Sequence, residues 1–305
     1  MDSAQLAIVL LNWNGYKETV ACVDSLLKNT TSFSFDIYII DNGSKGNDAS
    51  MLTKRYGKAS QVVVISSNKN LGFTGGNNFL IEVAQKRKNY DYYFLLNNDT
   101  EVPAGFLETF MRAVGNRSGV FGPQVRYFGQ PTLLQSIGGR INLWTGICSR
   151  LGDKVLAEQC PQKNIERETD YIFGAAFLIS HDVVVALGGL HEEFFIYYEE
   201  VDYCVLVKRK GFSVRYVPVE MILHKDSVST KKMTGFHIYM MWRNRIHFMR
   251  RHASMIQYIF SFVYLFAYLP YFTVKYGITE AKFLIAGTID GLRGKKGNAF
   301  LYRTF

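Results

Sequence analysis

Short apolar runs alternate with amphipathic stretches along the first half of the chain. Runs rich in aliphatic and aromatic residues at 7–11, 36–40, 62–65 and 92–96 predict β-strands. Between them, stretches near 16–28, 49–56 and 76–88 space their apolar residues as helices that bury one face. This alternation predicts an α/β fold with a mostly parallel sheet. Each run exits into polar residues: NWNG at 12–15, DNGS at 41–44, NKNLGFTGGNN at 68–78 and NNDT at 97–100. In such sheets the carboxyl ends of the strands open into the ligand crevice, so the four exits converge. The second half is less regular, with strands expected at 119–125 and 171–179 and a helix over 199–210 stopped by Gly211.

Several of these exits carry candidate chemistry. Asp99 either serves a ligand at the sheet edge or caps a helix beginning near Pro103. The glycine-rich NLGFTGGNN lacks the Lys-Ser/Thr of a phosphate loop and the spacing of the dinucleotide fingerprint. It reads as tightly turned backbone beside a nucleotide, or as an ordinary loop. In HEEFFIYYEEVDYC, Glu199, Glu200 and Asp202 fall at a helix start, where the dipole alone favours carboxylates. The preceding Phe194, Phe195, Tyr197 and Tyr198 supply apolar walls that raise a carboxyl toward the range of a general base. His224 ends another strand-like run. With Asp99 it offers one nitrogen and one oxygen to a divalent cation, a nucleoside diphosphate completing the octahedron, and imidazole favours Mn²⁺ over Mg²⁺.

Charge changes the picture at the C-terminal end. Residues 225–305 hold 13 Lys/Arg against 3 Asp/Glu, while residues 1–224 hold 22 against 23. The excess suggests an anionic membrane surface or a polyanionic ligand, and no nucleic-acid partner is expected. Residues 253–274 carry no formal charge and are long enough to span a bilayer. Yet Gln257, Ser261, Tyr264, Tyr268 and Tyr271 draw a partly polar stripe, and Pro270 predicts a break. Basic residues lie on both sides, Arg250 and Arg251 before and Lys275, Arg293, Lys295, Lys296 and Arg303 after. That symmetry favours a peripheral or monotopic amphipathic anchor on the cytoplasmic face over a single span. Asp2 stands where a secretory signal has a basic start, so residues 6–13 read as the first strand. Cys22, Cys148, Cys160 and Cys204 have no zinc or redox spacing and read as reduced thiols of a cytosolic chain.

Taken in order, VLLNWNG, IIDNGS, NLGFTGGNN, LLNNDTEV, FGAAFLIS, FFIYYEEVDYC, LHKDSVS and MWRNRIHF, over residues 6–250, resemble the inverting glycosyltransferases of family 2, especially the bacterial rhamnosyltransferase-like branch. The resemblance implies a GT-A fold, the Rossmann-like architecture of nucleotide-diphospho-sugar transferases. Residues 1–250 would be the catalytic domain and 251–305 a helical membrane-associated segment. It implies that Asp41 recognises the base, with Asn12 and Asn14 in the same pocket, and that Asn68 and Gly72 shape the loop beside the nucleotide. Asn98 and Asp99 stand in the position of the DXD-type motif, Asp99 holding Mn²⁺ or Mg²⁺ on the diphosphate with His224 as second ligand. Glu200 falls at the catalytic base, in one acidic set with Glu199 and Asp202, and Arg243 is a candidate diphosphate contact.

Two departures stand out. The usual ED-x-D is here EE-V-D, which leaves Glu199 and Glu200 unseparated as the base. The arginine that often follows three residues later is absent, Leu206 and Val207 occupying that neighbourhood, so its ion pair must come from elsewhere. The expected reaction moves one sugar, dTDP-rhamnose being the branch's donor, to a hydroxyl of a glycan or polyprenyl-diphosphate-linked acceptor in cell-surface polysaccharide synthesis. The alternatives are a metal-dependent nucleotidyltransferase, which typically has a glycine-rich basic motif where NWNG stands, and a nucleotide-sugar-binding protein without turnover.

Overall fold

The computed structural model describes residues 4–225 and 235–302. Arg303 and the end of the LHKDSVS stretch, from Asp226, lie outside the described residues. The four expected strands form as β1 (Gln5–Asn12), β2 (Ser34–Asn42), β3 (Val62–Ser67) and β4 (Tyr92–Asn97). They lie parallel in the order β4-β1-β2-β3, joined by helices α1 (Tyr16–Leu27), α2 (Asp48–Tyr56) and α3 (Gly72–Arg87). The chain passes from β1 to β2 and β3 on one side and returns to pair β4 on the other. That reversal opens a crevice between the carboxyl ends of β1 and β4.

The period of two divides β1 between the two faces of the sheet. Leu6, Ile8 and Leu10 pack with Cys22, Val23 and Leu26 of α1, Leu52 of α2 and Phe106 and Phe110 of α4 (Phe106–Val114). Ala7 and Val9 pack with Leu80, Ile81 and Ala84 of α3 on the other face. All of these side chains are buried, as the apolar runs require of a sheet covered on both sides.

The second half departs from the expected strands. The run at 119–125 is cut by Pro123. A two-residue strand, β5 (Thr100–Glu101), precedes α4; then β6 (Gly119–Gly122) stays in the main sheet and β7 (Val125–Tyr127) leaves it. With β8 (Gln130–Ser136) and a later strand, β5 and β7 build a separate small sheet. A hairpin follows, β9 (Gly139–Asn142) and β10 (Ile147–Arg150), then β11 (Arg167–Glu168). The expected strand at 171–179 starts only at Ala176: β12 (Ala176–Ser180) runs antiparallel to β4, while residues 174–175 form a turn ahead of it. After α5 (His181–Leu187), helix α6 (Glu199–Arg209) ends before Gly211, whose φ of +85° carries the turn into β13 (Ser213–Tyr216). Strand β14 (Ile222–His224) completes the small sheet between β5 and β7.

Three helices close the chain: α7 (Gly235–His252), α8 (Met255–Tyr276) and α9 (Ile278–Leu292). Tyr239 of α7 donates to the buried Asp290 of α9 at 2.6 Å. A Cβ at Gly287 would come 2.3 Å from the Tyr239 carbonyl, so the two helices are in backbone contact. The C-terminal segment is thus fastened to α7. Helix α8 begins at a capping box of Ser254 and Gln257 and continues through Pro270, contrary to the expected break, with the ring on the exposed side.

The polar stripe of α8 does not face water as an ordinary amphipathic helix would. Ser261 is buried, Tyr264 lies under the Arg245 guanidinium at 5.3 Å, and Tyr268 stacks on Trp242 at 5.9 Å; Tyr271 is the exposed member. The flat rings pack against α7, and the aliphatic side is turned outward. Met255, Ile256, Ile259, Phe260, Val263 and Phe266 are exposed, Phe266 at 84%. Among the described residues, α8 is one helix long and apolar enough to cross a membrane.

Candidate active site

The ends of β1, β2 and β4 are tied by one hydrogen-bond network. Asn12 and Asp41 are register partners, and Asn12 Nδ2 donates to Asp41 Oδ1 at 2.8 Å and to Asp48 Oδ2 at 3.0 Å. Thr19 donates to Asn12 Oδ1 at 2.7 Å and receives Asn98 Nδ2 at 2.8 Å. Ser44 donates to Asp41 at 2.5 Å. Asn14, at φ 53°, accepts the Lys45 amide at 2.9 Å, while its own amide donates to Ser44 at 2.8 Å. The network corrects the expectation for Asn12. It is fully enclosed, with its amide spent on carboxylates, so it holds Asp41 in place without lining a pocket.

The glycine-rich stretch is the first turn of α3, not a loop. Asn42, which the sequence reading passed over, clamps it: Asn42 Oδ1 accepts the Leu71 amide at 3.0 Å and Nδ2 donates to the Gly72 carbonyl at 3.0 Å. Its position beside Asp41 at a buried strand end was the available signal. Gly72 has φ +77°, and a Cβ there would meet the Phe195 ring and carbonyl at 2.5 Å. The Phe195 carbonyl accepts the amides of Phe73 at 2.7 Å and Thr74 at 3.2 Å, so these helix N-terminal donors are already engaged. Asn68 lies exposed at the β3 exit.

Asp99 and His224 come together from β4's exit and the end of β14. His224 Nε2 is 3.1 Å from Asp99 Oδ1, and both side chains are largely buried. Nδ1 of the same ring donates to Gln135 Oε1 at 2.9 Å, which orients Nε2 toward the carboxylate. Burial would raise the Asp99 carboxyl, but the hydrogen bond and charge of His224 and the charge of Lys225 outweigh it and hold it below the usual range. Adjacent ligands of an octahedral ion with bonds near 2.1 Å lie about 3 Å apart, so this oxygen–nitrogen pair fits a hard divalent cation. Among the described residues no third His, Cys, Asp or Glu joins them, so the remaining ligands would come from the nucleotide and water.

The acidic helix start lies across a short bridge. Phe173 packs edge-on to His224 at 5.7 Å between ring centres, and the next residue, Gly174, lies against Glu200, a Cβ there being 3.8 Å from its carboxyl carbon. Arg150 covers the other side of Phe173 at 4.9 Å. Arg150 was not singled out from the sequence, and Phe173 and Gly174 entered only as the start of FGAAFLIS, with no role given. Burial lifts the Glu200 carboxyl to about 7, opposed by main-chain amides and by Arg150. Glu199 is driven well above the ordinary range by burial and by the charge of Glu200, and it is only 4% exposed. One oxygen of each carboxyl, Oε2, is enclosed without a hydrogen-bond partner among the described residues. Glu200, the less enclosed of the two and the one against the bridge, is the better placed to take a proton.

Two other expectations change. Asp202 is fully buried and receives His191 at 2.5 Å, His252 at 2.6 Å and Arg251 at 3.1 Å. Burial would raise its pKa, but these partners lower it. It fastens α6 to α7 through Arg251 and His252 instead of facing the crevice. Arg243 is also fully buried and does not project toward a diphosphate. It donates to the carbonyls of Gly297, Glu193 and, at 2.8 Å, Phe194. Burial brings its pKa down to about 10, opposed by Tyr239, Asp290 and Glu193. The Glu193 and Phe194 carbonyls belong to an arch leading into α6, in which Phe195, Tyr197 and Tyr198 all have φ between 65° and 71°. Each such residue costs about 1–2 kcal/mol, so the arch must be held.

Comparison with known proteins places this geometry. The model of glycosyl transferase family 2 matches residues 7–170, more than half of the chain. The low-salt glycan biosynthesis hexosyltransferase Agl10 of Haloferax volcanii is 23% identical over 253 residues, covering 79% of this chain and 74% of its own. The N-acetylglucosaminyl-diphospho-decaprenol L-rhamnosyltransferase of Mycobacterium tuberculosis is 22% identical over 228 residues, 70% of this chain and 73% of its own. The mannosyltransferase PcManGT from Pyrobaculum calidifontis, solved with GDP-Man and Mn²⁺, superposes with a TM-score of 0.58 at 11% identity, over 95% of this chain and 88% of that one. GalNAc-T7, solved with UDP, GalNAc and Mn²⁺, gives 0.58 at 16% identity over 72% of this chain, which spans only 43% of it. At these identities the likeness to the solved structures is one of fold.

Proposed function

This chain belongs to glycosyltransferase family 2 and has the GT-A fold, and on that premise we propose that it moves a single sugar, with inversion, from a nucleoside diphosphate to a hydroxyl of a glycan or polyprenyl-diphosphate-linked acceptor. The observation that carries this reading is the Phe173–Gly174 bridge, with the Asp99–His224 pair on one side and Glu200 on the other. Asp99 and His224 would hold a divalent cation, Mn²⁺ or Mg²⁺. Such a cation supplies charge stabilisation to the departing diphosphate. Glu200 takes the acceptor's proton as the hydroxyl attacks from the face opposite the leaving group; its raised pKa suits a base working near neutrality. Asp41, set by Asn12 and Ser44, reads the base, with Asn14, Asn68, Gly72 and Asn98 shaping the nucleotide side. The rhamnosyltransferase name of the mycobacterial relative favours dTDP-rhamnose as donor and a lipid-linked acceptor.

The outward apolar side of α8 and the basic residues after it suit an in-plane anchor on the cytoplasmic face, beside a lipid-linked acceptor. Residues 1–250 act as the catalytic unit, with 251–305 as the membrane-facing part. Assaying purified protein with Mn²⁺ and a panel of nucleotide-sugars tests the reading: nucleoside diphosphate should be released, whereas pyrophosphate would identify a nucleotidyltransferase and no release would leave a binding protein.

A further inference from the structure

Every main-chain carbonyl from Glu193 to Tyr197 accepts a hydrogen bond from outside the arch. Arg243 donates to Glu193 and Phe194, and Asn244 Nδ2 donates to Phe194 at 2.9 Å, Ile196 at 2.7 Å and Tyr197 at 2.8 Å. Phe73 and Thr74 of α3 hold Phe195 between them. Arg243 is itself oriented by Asn244 Oδ1, at 2.9 and 2.7 Å from Nε and Nη2, and by the Gly297 carbonyl beyond α9. Helix α6 has no side-chain cap of its own: its N-cap residue, Tyr198, sits at φ 71° without one. The direction in which α6 starts is therefore set by the arch, and the second residue of α6 is Glu200.

We propose that Arg243 and Asn244 are positioning residues for the transfer step, holding the arch in its left-handed path and through it aiming Glu200. The inference rests on the reading of Glu200 as the base. A planar guanidinium meets several carbonyls at fixed angles, which a lysine cannot do, and the side-chain amide of Asn244 bridges the carbonyls on either side of Phe195. The Phe195 carbonyl also accepts the Phe73 and Thr74 amides of α3, a contact that neither Arg243 nor Asn244 makes, and Asn42 holds the same turn of α3 independently. The segment after α9 enters the device through Gly297, which ties the C-terminal helices to the chemistry.

Asn244→Asp is the decisive variant, because it removes the donor to three carbonyls while keeping the oxygen that Arg243 donates to. Arg243→Lys is the second, keeping charge but losing the fork. Thermal unfolding, nucleoside-diphosphate affinity and the pH dependence of kcat are measured for both beside wild type and Glu200→Gln. Both variants should fold and bind nucleotide as wild type does, yet kcat per folded enzyme should fall about 10- to 100-fold, the scale of a small misplacement of a reacting group. The rising limb of kcat against pH should also shift, because the surroundings of Glu200 change; a loss of folded protein alone would leave that limb in place. Wild-type kcat and an unmoved limb in Asn244→Asp would overturn the proposal, with that variant deciding alone should Arg243→Lys not fold. Glu200→Gln keeps the two readings apart: wild-type rate there removes the base assignment, whereas an inactive Glu200→Gln beside an unimpaired Asn244→Asp removes the positioning role.

Discussion

His224 Nε2 and Asp99 Oδ1 stand 3.1 Å apart, brought from two different strand ends and held by the bond of His224 Nδ1 to Gln135. Asp99→Ala is expected to abolish Mn²⁺-dependent nucleotide binding and His224→Ala to weaken it less, since only the carboxylate brings charge to the cation. Gln135→Leu, which frees the imidazole to turn, should weaken Mn²⁺ binding about 10- to 100-fold. Titrating Mn²⁺ in the presence of a nucleoside diphosphate checks all three. Unchanged affinity in Asp99→Ala would end the metal-site reading.

Glu200, with its carboxyl lifted to about 7, links activity and stability in opposite directions. The ionised form is the active base, so kcat should rise with pH through about 7. For stability, a folded pKa above the ordinary 4.5 means that the native state keeps a proton the unfolded chain has lost. The contribution of Glu200 is then fully present below 4.5 and is lost as pH rises through 7. Glu200→Gln should accordingly melt higher than wild type at pH 8 and the same at pH 4. A lower melting temperature at pH 8 would contradict the enclosed carboxylate.

Asp202 behaves in the reverse sense. Its depressed pKa means that its contribution is present above the ordinary 3.8 and is lost as pH falls through the lower folded value. Asp202→Ala leaves the buried His252 without its carboxylate and Arg251 with Glu193 alone, and should cost about 3–5 kcal/mol by chemical unfolding. A loss far smaller than this would mean that α6 and α7 are joined by other contacts.

The outward side of α8 makes its own prediction. Replacing Ile259, Val263 and Phe266 by serine should abolish cosedimentation with anionic lipid vesicles while leaving the melting temperature unchanged, because all three are exposed. Retained vesicle binding would remove the membrane from the account. Truncation near Arg251 is a poor substitute, since it strips α9 from Tyr239 and Gly297 from Arg243.

The parallel half of the sheet was legible because β1, β2 and β4 carry buried cores on both faces, and even the half-buried edge strand β3 announces itself as an apolar run with a polar exit. The pairing of Asp99 with His224 was legible through the resemblance. What escaped was set by tertiary contacts. Pro123 ends one strand and sends the next into another sheet, which no periodicity reports. Arg243 and Asp202 belong to charged motifs that suggest ligand contact, yet their partners are main-chain carbonyls and histidines distant in sequence. The stripe on α8 was correctly seen as partly polar, but which way it faces depends on Trp242 and Arg245 of a neighbouring helix.

The central claim is that Glu200 is the base of an inverting sugar transfer. It is tested most directly by following one turnover with donor, Mn²⁺ and acceptor, with phosphorus and proton NMR reporting the released nucleotide and the anomeric configuration of the product. Release of nucleoside diphosphate should depend on acceptor, the product should have inverted configuration, and the rate should be lowered about 10²–10⁴-fold in Glu200→Gln. A product of retained configuration, release of pyrophosphate, or an undiminished rate in Glu200→Gln would contradict it.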